Sequence, residues 1–192
     1  LSGLVPWLSF QQALIKGSIA VTSNASFVKQ IVFPIEILPI KTAIAASIIS
    51  VIGAMFIILY VLVSQGRVPI SYAFLPVLIF IQLLGMIGAS YILSSINVFF
   101  KDTKDFIQLF STINIFIIPA IYLPEAIPSK IFNLIIMVNP FSHMVWVFQD
   151  VLFYCKMEHP ISWIIFLVLS IFVFLFGFRV FMRSKQQFGT ML

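Results

Sequence analysis

The chain has 192 residues, of which 61% are apolar and only 9% are charged, and its net charge is +5 at pH 7. Soluble domains are about 45–50% apolar and about 25% charged, so this chain lacks the polar side chains that would cover a water-exposed surface. The composition excludes a soluble globular domain and a disordered chain and indicates an integral membrane protein. The single cysteine, Cys155, excludes an internal disulfide and a cysteine-rich metal site.

Runs of uncharged residues predict about five membrane-spanning helices, because a helix needs about 20 mostly apolar residues to cross the hydrocarbon layer. The first span, Leu1 to about Ser23, is interrupted by Gln11, Gln12 and Lys16. We expect its polar face to turn toward protein or a water-filled path. The other four spans are predicted within residues 42–66, 68–100, 106–124 and 159–178. The sequence therefore predicts an all-α polytopic membrane bundle that forms a single domain over residues 1–192.

The segment before the last span predicts a re-entrant helical hairpin. Residues 131–149 are uncharged but are interrupted by Asn139-Pro140, which leaves two pieces near 127–138 and 142–154. At 1.5 Å per residue each piece reaches only about 20 Å, which is too short to span. The alternative is one kinked helix over residues 131–153, which would place Arg183 and Lys185 on the outer side.

The distribution of lysine and arginine residues between the loops predicts which side of the membrane each loop faces. Seven of them lie in residues 24–41, in residues 98–105 and after residue 178, whereas three lie in the opposite loops. The positive-inside rule places the larger group in the cytoplasm. Residues 101–105 and the tail after Arg183 are therefore predicted to be cytoplasmic, and residues 124–160, including the hairpin, to lie on the outer side.

The chain lacks the motifs of an energy source or an enzyme. No glycine is followed directly by lysine, so the phosphate-binding loop GxxxxGK[ST] is absent, and so is the zinc motif HExxH. His143 and Asp150 are seven residues apart, which places them on one face of a helix; we interpret them as a buried or interfacial polar pair in preference to acid–base machinery. The four clearer spans carry no ionisable residue in their middles, which weighs against an ion-coupled pump. We expect no catalytic residue, metal or cofactor in this chain. The energy for transport is expected to come from a separate protein.

Two further patterns concern packing and the cytoplasmic side. Small residues recur at four-residue spacing, as in Ala46/Ser50 and Gly85/Ala89, which suits packing within the bundle and a homodimer equally well. In residues 24–39, Pro34 and Pro39 bracket the isolated charge of Glu36. Two prolines so close together break a helix, so a short amphipathic helix and a bent path into the second span are expected.

Five motifs occur in an order that resembles one known family. They are Val21-Thr-Ser-Asn24 with Val28-Lys29 and Phe33-Pro34-Ile-Glu36-Ile-Leu-Pro39; Ser95-Ile-Asn97-Val-Phe-Phe100-Lys101-Asp102; Pro119-Ala-Ile-Tyr122 with Pro128; Val138-Asn139-Pro140-Phe141; and the opening Leu1-Ser2-Gly3-Leu4-Val5-Pro6-Trp7. Over the whole chain they resemble the permease subunit of ABC-2 type polysaccharide exporters. The chain departs from the family pattern at Cys155, where glycine is expected, and at Gln149-Asp150, where an Arg-Asp or similar polar pair is common.

The resemblance implies a six-span permease, so an interface helix and the first span are expected to be missing before Leu1. It implies a second copy of the chain and two copies of an ATPase subunit that binds ATP and Mg, all at the bacterial inner membrane. The expected cargo is a lipid-linked glycan such as O-antigen, capsule or teichoic acid, and no nucleic acid is involved. Contact with the ATPase or closure of the cytoplasmic mouth is expected at Lys29, Pro34, Glu36, Pro39, Lys101 and Asp102.

A glycan cannot cross hydrocarbon because its hydroxyls would lose water without compensation. It needs a polar or aromatic-lined path, and the C–H faces of sugars pack on aromatic rings. Candidate residues for this path are Trp7, Tyr91, Tyr122 and Trp146, with Asn139 and Pro140 as the turn of a gate over it; the aromatic belt at the membrane interface is the alternative for each aromatic residue. Two other functions stay open: an ABC-2 permease for a small hydrophobic or drug-like substrate, and a non-transport membrane scaffold or enzyme.

Overall fold

The computed structural model describes residues 2–25, 34–122 and 130–191. Their main helices are α1 (Leu4–Ser18), α2 (Ile37–Gln65), α3 (Leu75–Phe99), α4 (Thr103–Ile117), α5 (Lys130–Val138), α6 (Pro140–Gln149) and α7 (Pro160–Met191). Short 3-10 turns occupy Thr22–Asn24 and Ile70–Phe74, and a π-helical turn occupies Asp150–Tyr154. The predicted all-α membrane bundle is confirmed. Lys29, Pro128 and the first residues of the predicted hairpin lie outside the described ranges.

Three helical stretches within these ranges are long and apolar enough to cross a membrane: Ile37–Ser64, Ile70–Phe99 and Pro160–Phe188. The bent pair Ile131–Val138 and Pro140–Tyr154 makes a fourth if it counts as one span. The prediction of about five spans is therefore too high for the described residues. The first and fourth predicted spans fail because α1 and α4 have only 15 residues each, about 22 Å of helix.

The ends of the helices follow from local chemistry. α4 stops at Ile118, which is extended (φ −72°, ψ 147°) because the following Pro119 disfavours a helical conformation in the residue before it. α2 stops at Gly66, whose φ of +69° suits a residue without Cβ. The short amphipathic helix expected in residues 24–39 falls largely outside the described residues. Pro39 does not interrupt a helix, because it lies in the first turn of α2, where no backbone N–H is needed.

α3 is the central helix of the bundle and packs against α1, α2, α4, α6 and α7. Polar side chains join it to two neighbours inside the apolar core. Gln82 of α3 donates Nε2 to the carbonyl of Pro6 in α1 at 2.8 Å, and its Oε1 accepts from Ser50 of α2 at 3.0 Å. Ser9 of α1 donates to the carbonyl of Ala46 in α2 at 2.8 Å. The small residues of α2 therefore pack within this bundle.

The most extensive helix interface joins α3 and α7, and two glycines lie at its closest point. A Cβ built on Gly88 would lie 2.4 Å from the carbonyl oxygen of Val173 and 2.5 Å from Phe174 Cα. A Cβ on Gly177 would lie 2.2 Å from the carbonyl oxygen of Gly88. The two backbones are in direct contact here, as small residues permit in membrane bundles.

Candidate functional site

Glu36, immediately before α2, forms an ion pair with the last helix. Lys185 Nζ of α7 donates to Glu36 Oε2 at 2.8 Å, although the two residues are 149 positions apart. The Tyr91 hydroxyl of α3 donates to the main-chain carbonyl of Glu36 at 3.2 Å. The hydrogen bond from Lys185 holds the pKa of the Glu36 carboxyl below its usual value. Three helices are therefore joined at the charge that the sequence singled out.

The other residues predicted for coupling are placed on separate elements. Pro34 is exposed ahead of α2, whereas Pro39 is buried in its first turn. Lys101 and Asp102 are exposed in the turn between α3 and α4, and the Asp102 carbonyl accepts the first backbone bonds of α4. Lys29 lies outside the described residues. A coupling role for this group stays a prediction.

Exchanging the charges of Glu36 and Lys185 tests their contact. Glu36→Lys and Lys185→Glu each place like charges together, and we expect each to lower the unfolding free energy in detergent by about 1 kcal/mol, since both groups are partly exposed. The double exchange should recover most of this loss. Because the folded-state pKa of Glu36 is lowered, the contribution of the pair is present at neutral pH and disappears as the pH falls through that pKa.

The matched control is Lys41→Glu, which reverses the charge of an exposed lysine of α2 that has no ion pair among the described residues. Thermal unfolding of the detergent-solubilised protein measures all four variants. A double exchange that loses as much as the sum of the two single changes contradicts the pairing.

The break at Asn139-Pro140 is confirmed, since α5 and α6 meet there with a bend of 84°. The Asn139 side-chain oxygen accepts from the N–H of Phe141 at 3.0 Å, and Pro140 at the first helical position leaves no N–H unpaired. Asn139 Nδ2 donates to Asn114 Oδ1 of α4 at 2.7 Å. The turn is thus fixed at the start of α6 and held against α4; its re-entrant placement and its role as a gate stay predictions.

A pocket of about 570 Å³ lies between this bent pair and the start of α7. We call it the outer pocket, after the side on which the predicted orientation places it; its wall includes Tyr122, His143, Trp146, Gln149, Tyr154 and His159. The rings of Trp146 and His159 stack at 5.3 Å with an interplanar angle of 6°, and His143 meets Trp146 edge-on at 5.4 Å. The volume is that of an ordinary small-molecule site. Aromatic faces next to polar groups suit a ligand that has both C–H faces and hydroxyls.

The buried carboxyl of Asp150 fixes the side of this pocket. Only 1% of the side chain is exposed, and its Oδ2 accepts from the backbone N–H of His159 and from Trp163 Nε1, both at 3.0 Å. Its Oδ1 lies 2.8 Å from Nδ1 of His159. Asp150 also begins the π-helical turn that joins α6 to the loop before α7, an irregularity that often marks functional sites.

Cys155 ends that turn with a left-handed φ of 54°, unlike every other non-glycine residue of the described chain. Glycine adopts this conformation at little cost, whereas a residue with a Cβ does not. The family pattern expects glycine at this position, and the backbone supplies the physical reason for that preference.

The proposed pairing of His143 with Asp150 is wrong, although both side chains are buried. The His143 ring nitrogens lie 3.0 Å from Ser162 Oγ and 3.0 Å from the carbonyl of Met137. Asp150 pairs instead with His159, beyond the π-helical turn. A seven-residue spacing assumes a regular helix, whereas these contacts depend on how the chain folds back onto α7.

The structure separates the four aromatic candidates into two pairs. Tyr122 and Trp146 line the outer pocket together. Trp7 is fully buried against Phe141, with ring centroids 5.2 Å apart, and Tyr91 is buried among aromatic rings of α7. Contact of any of the four with a glycan stays a prediction.

Sequence reasoning missed three residues that organise these sites: Lys185, His159 and Trp163. Lys185 counted only toward the orientation of the bundle, and nothing local links it to Glu36. His159 and Trp163 lie at the start of the last apolar run, a position where polar and aromatic residues are common. Their shared contact with Asp150 depends on tertiary structure.

No protein-family model matches the chain. Curated relatives do, however, match it over nearly its entire length. The chain is 24% identical over 193 aligned positions to the O-antigen export system permease protein RfbA of Klebsiella pneumoniae, covering all of this chain and 74% of the relative. It is 21% identical over 189 positions to the protein of the same name from Myxococcus xanthus, covering 97% of this chain and 72% of the relative. These matches confirm the resemblance carried by the motifs: along nearly its whole length the chain is similar to O-antigen export system permease proteins.

Proposed function

We propose that the chain is the membrane subunit of an ATP-driven exporter that moves a lipid-linked polysaccharide outward across the bacterial inner membrane. The observation that carries this proposal is the similarity to O-antigen export permeases along the whole chain. The long apolar helices support a membrane location. A transporter subunit fits these findings better than an enzyme.

The energy for transport comes from a partner in this proposal, because the sequence has no phosphate-binding loop of its own. Two copies of an ATPase subunit act on two copies of the permease. The Glu36–Lys185 pair is well placed to report the state of that partner, since it joins the residue before α2 to the end of α7. The bound ATP and Mg belong to the ATPase.

The outer pocket supports a glycan as the cargo. Tyr122 and Trp146 lie in its wall with polar neighbours, and a sugar contacts both kinds of group at once. An apolar compound would form no hydrogen bond with the polar groups of the pocket, whereas a sugar hydroxyl can both donate and accept. We therefore favour the glycan over a small hydrophobic substrate.

The test of the function is removal of the gene from its natural host, with surface polysaccharide and internal polysaccharide measured separately. Loss of the gene should empty the cell surface and accumulate glycan inside, and the native chain supplied in trans should reverse both effects. Cells in which the phosphate-binding loop of the ATPase partner is inactivated should show the same two effects, an empty surface and glycan accumulated inside. Unchanged surface polysaccharide together with lost efflux of an apolar dye would overturn the proposal in favour of a small hydrophobic substrate.

Trp146→Ala should lower export about fivefold, the effect of roughly 1 kcal/mol lost from an aromatic contact. Because Trp146 also stacks on His159, the amount of protein in the membrane is measured in parallel. Photo-reactive residues at Tyr122 and at Trp146 should cross-link glycan in an exporting complex. The control position is Tyr60, which is exposed on α2; equal cross-linking at Tyr60, or none at Tyr122 and Trp146, contradicts glycan contact at the pocket.

A further inference from the structure

The long helices expose apolar side chains, as expected for surfaces that face lipid. The outward residues of α2 include Ile48, Ile52, Met55, Phe56 and Leu59, and those of α7 include Ile161, Ile164, Val168, Phe172 and Leu175. Hydrocarbon offers no hydrogen bonds, so such faces carry almost no polar groups. Any polar face at the same depth therefore needs another explanation.

α1 has such a face. Leu8 and Lys16 are exposed and Gln12 between them is half-buried, and the three lie at four-residue spacing on one side of the helix. Gln11 borders this side and is also half-buried. Within the described ranges, neither glutamine nor the Lys16 ammonium group has a hydrogen bond or an ion pair. The opposite side of α1 is the buried side, which holds Trp7, Phe10 and Leu14.

α4 repeats the pattern and packs against α1. Asp105, Gln108 and Thr112 are exposed at spacings of three and four residues, so they share one side of the helix. The Asp105 and Gln108 side chains have no partner among the described residues. α1 and α4, which are both too short to span the membrane, therefore each expose a row of polar side chains, which in α4 lies beside the exposed apolar residues Phe106, Leu109 and Ile113.

The depth of Lys16 follows from its neighbour. A Cβ built on Gly17 would lie 2.3 Å from Ser90 Oγ of α3, so α1 is in contact with α3 at this level. Ser90 lies roughly 14 Å along α3 from the helix end at Phe99. If Phe99 marks the surface of a hydrocarbon layer about 30 Å thick, Lys16 lies roughly 14 Å inside that layer. A lysine at this depth faces water or an anion, because the charged group is costly in lipid.

We propose that the polar faces of α1 and α4 line part of a hydrated path through the membrane and that Lys16 contacts an anionic, phosphate-type group of the molecule in transit. This inference rests on the proposed export function and names the surface that carries the cargo. A water-filled path solvates the glutamines and threonine and supplies the hydroxyls of a glycan with partners. The ammonium group of Lys16 attracts a negative group and leaves neutral sugars free to pass.

Cysteine reactivity tests the path without relying on export. In a Cys155→Ser background, Gln12→Cys and Gln108→Cys should react with hydrophilic methanethiosulfonates in membranes that contain the full-length protein and its ATPase. The control Leu175→Cys lies on the lipid-facing side of α7, where apolar surroundings keep the thiol protonated. We expect it to react about tenfold more slowly. Equal reactivity at the three positions, or protection of both glutamine positions, overturns the path.

The charge of Lys16 is tested at the same cysteine. Residues four apart on a helix are about 6 Å apart, so one positive charge should speed an anionic reagent and slow a cationic one about threefold each in water at low salt. The ratio of the sulfonate rate to the trimethylammonium rate at Gln12→Cys should therefore fall about tenfold in Lys16→Gln and persist in Lys16→Arg. An unchanged ratio in Lys16→Gln means that the ammonium group is directed elsewhere and removes the anion contact.

The source of the anion is identified by comparing two kinds of membrane. With the ATPase inactivated, Gln12→Cys should react more slowly in membranes from cells that make the glycan than in membranes from cells blocked in its synthesis. Equal rates in both indicate a phospholipid headgroup and overturn contact with the cargo. If the native complex exports no glycan at all, the proposed function fails, whereas reactive positions 12 and 108 would still establish the hydrated surface.

Discussion

A methyl group added at Gly88 should destabilise the protein far more than one added at Gly85, three residues earlier on the same helix. At Gly88 the new Cβ meets backbone atoms of Val173 and Phe174 at 2.4–2.5 Å. Backbone cannot rotate away as a side chain can, so α3 and α7 must separate along the most extensive interface of the bundle. We expect Gly88→Ala to cost about 3 kcal/mol of unfolding free energy, the upper range for overpacking.

Gly85→Ala is the matched control. Its Cβ would lie 3.2 Å from Ser170 Oγ and 3.4 Å from a ring carbon of Phe10, which small side-chain movements relieve. Alanine is also the better helix former by about 1 kcal/mol, so this variant should unfold within about 1 kcal/mol of the native protein. Thermal unfolding in detergent and the amount of protein in the membrane measure both. Equal stability of the two variants would show that the glycine contact is not what sets the spacing of α3 and α7.

Replacing Asp150 should have the second largest effect, and its size should depend on the replacement. Asp150→Ala leaves the backbone N–H of His159 and the indole N–H of Trp163 without their acceptor. Each unpaired buried donor costs about 1–3 kcal/mol, and since His159 is partly exposed we expect a total of about 3 kcal/mol. The ring stack of His159 on Trp146 should loosen at the same time.

Asp150→Asn keeps an oxygen for the two N–H donors, and its amide nitrogen can face His159 Nδ1 in the other tautomer of that ring. This variant should therefore lose less than about 1 kcal/mol. Unfolding in detergent and tryptophan fluorescence measure both changes, because Trp146 and Trp163 lie at the cluster. An asparagine variant as unstable as the alanine variant would mean that the negative charge matters, and not the number of acceptors.

The membrane bundle and its main helices could be read from the sequence because long apolar runs have a single physical explanation. The run at 42–66 became α2, which begins five residues earlier, at Ile37, because Pro39 is tolerated in a first turn. The turn at Asn139-Pro140 was equally readable, since asparagine before proline favours both the helix cap and the extended residue that the bend requires.

The contacts between distant residues could not be read in this way. The pairing of Glu36 with Lys185 depends on where α7 ends relative to α2, and the π-helical turn that brings Asp150 to His159 breaks the helical spacing used to pair Asp150 with His143. For the same reason, the four aromatic residues predicted to line one path lie in two separate places. Trp7 and Tyr91 fill the core, and no spacing rule distinguishes a ring that faces a pocket from one that packs on a neighbouring helix.

The backbone contact between α3 and α7 at Gly88 and Gly177 is a point about which α7 can tilt. Trp163, which donates to Asp150, lies about 21 Å along the helix on one side of Gly177, and Lys185, which donates to Glu36, lies about 12 Å on the other side. If α7 tilts as a rigid rod about this point, its two ends move in opposite directions. The end at the outer pocket then moves almost twice as far as the end at Glu36. A movement of Lys185 away from Glu36 would then produce a larger displacement of Trp163 at the opposite end of α7.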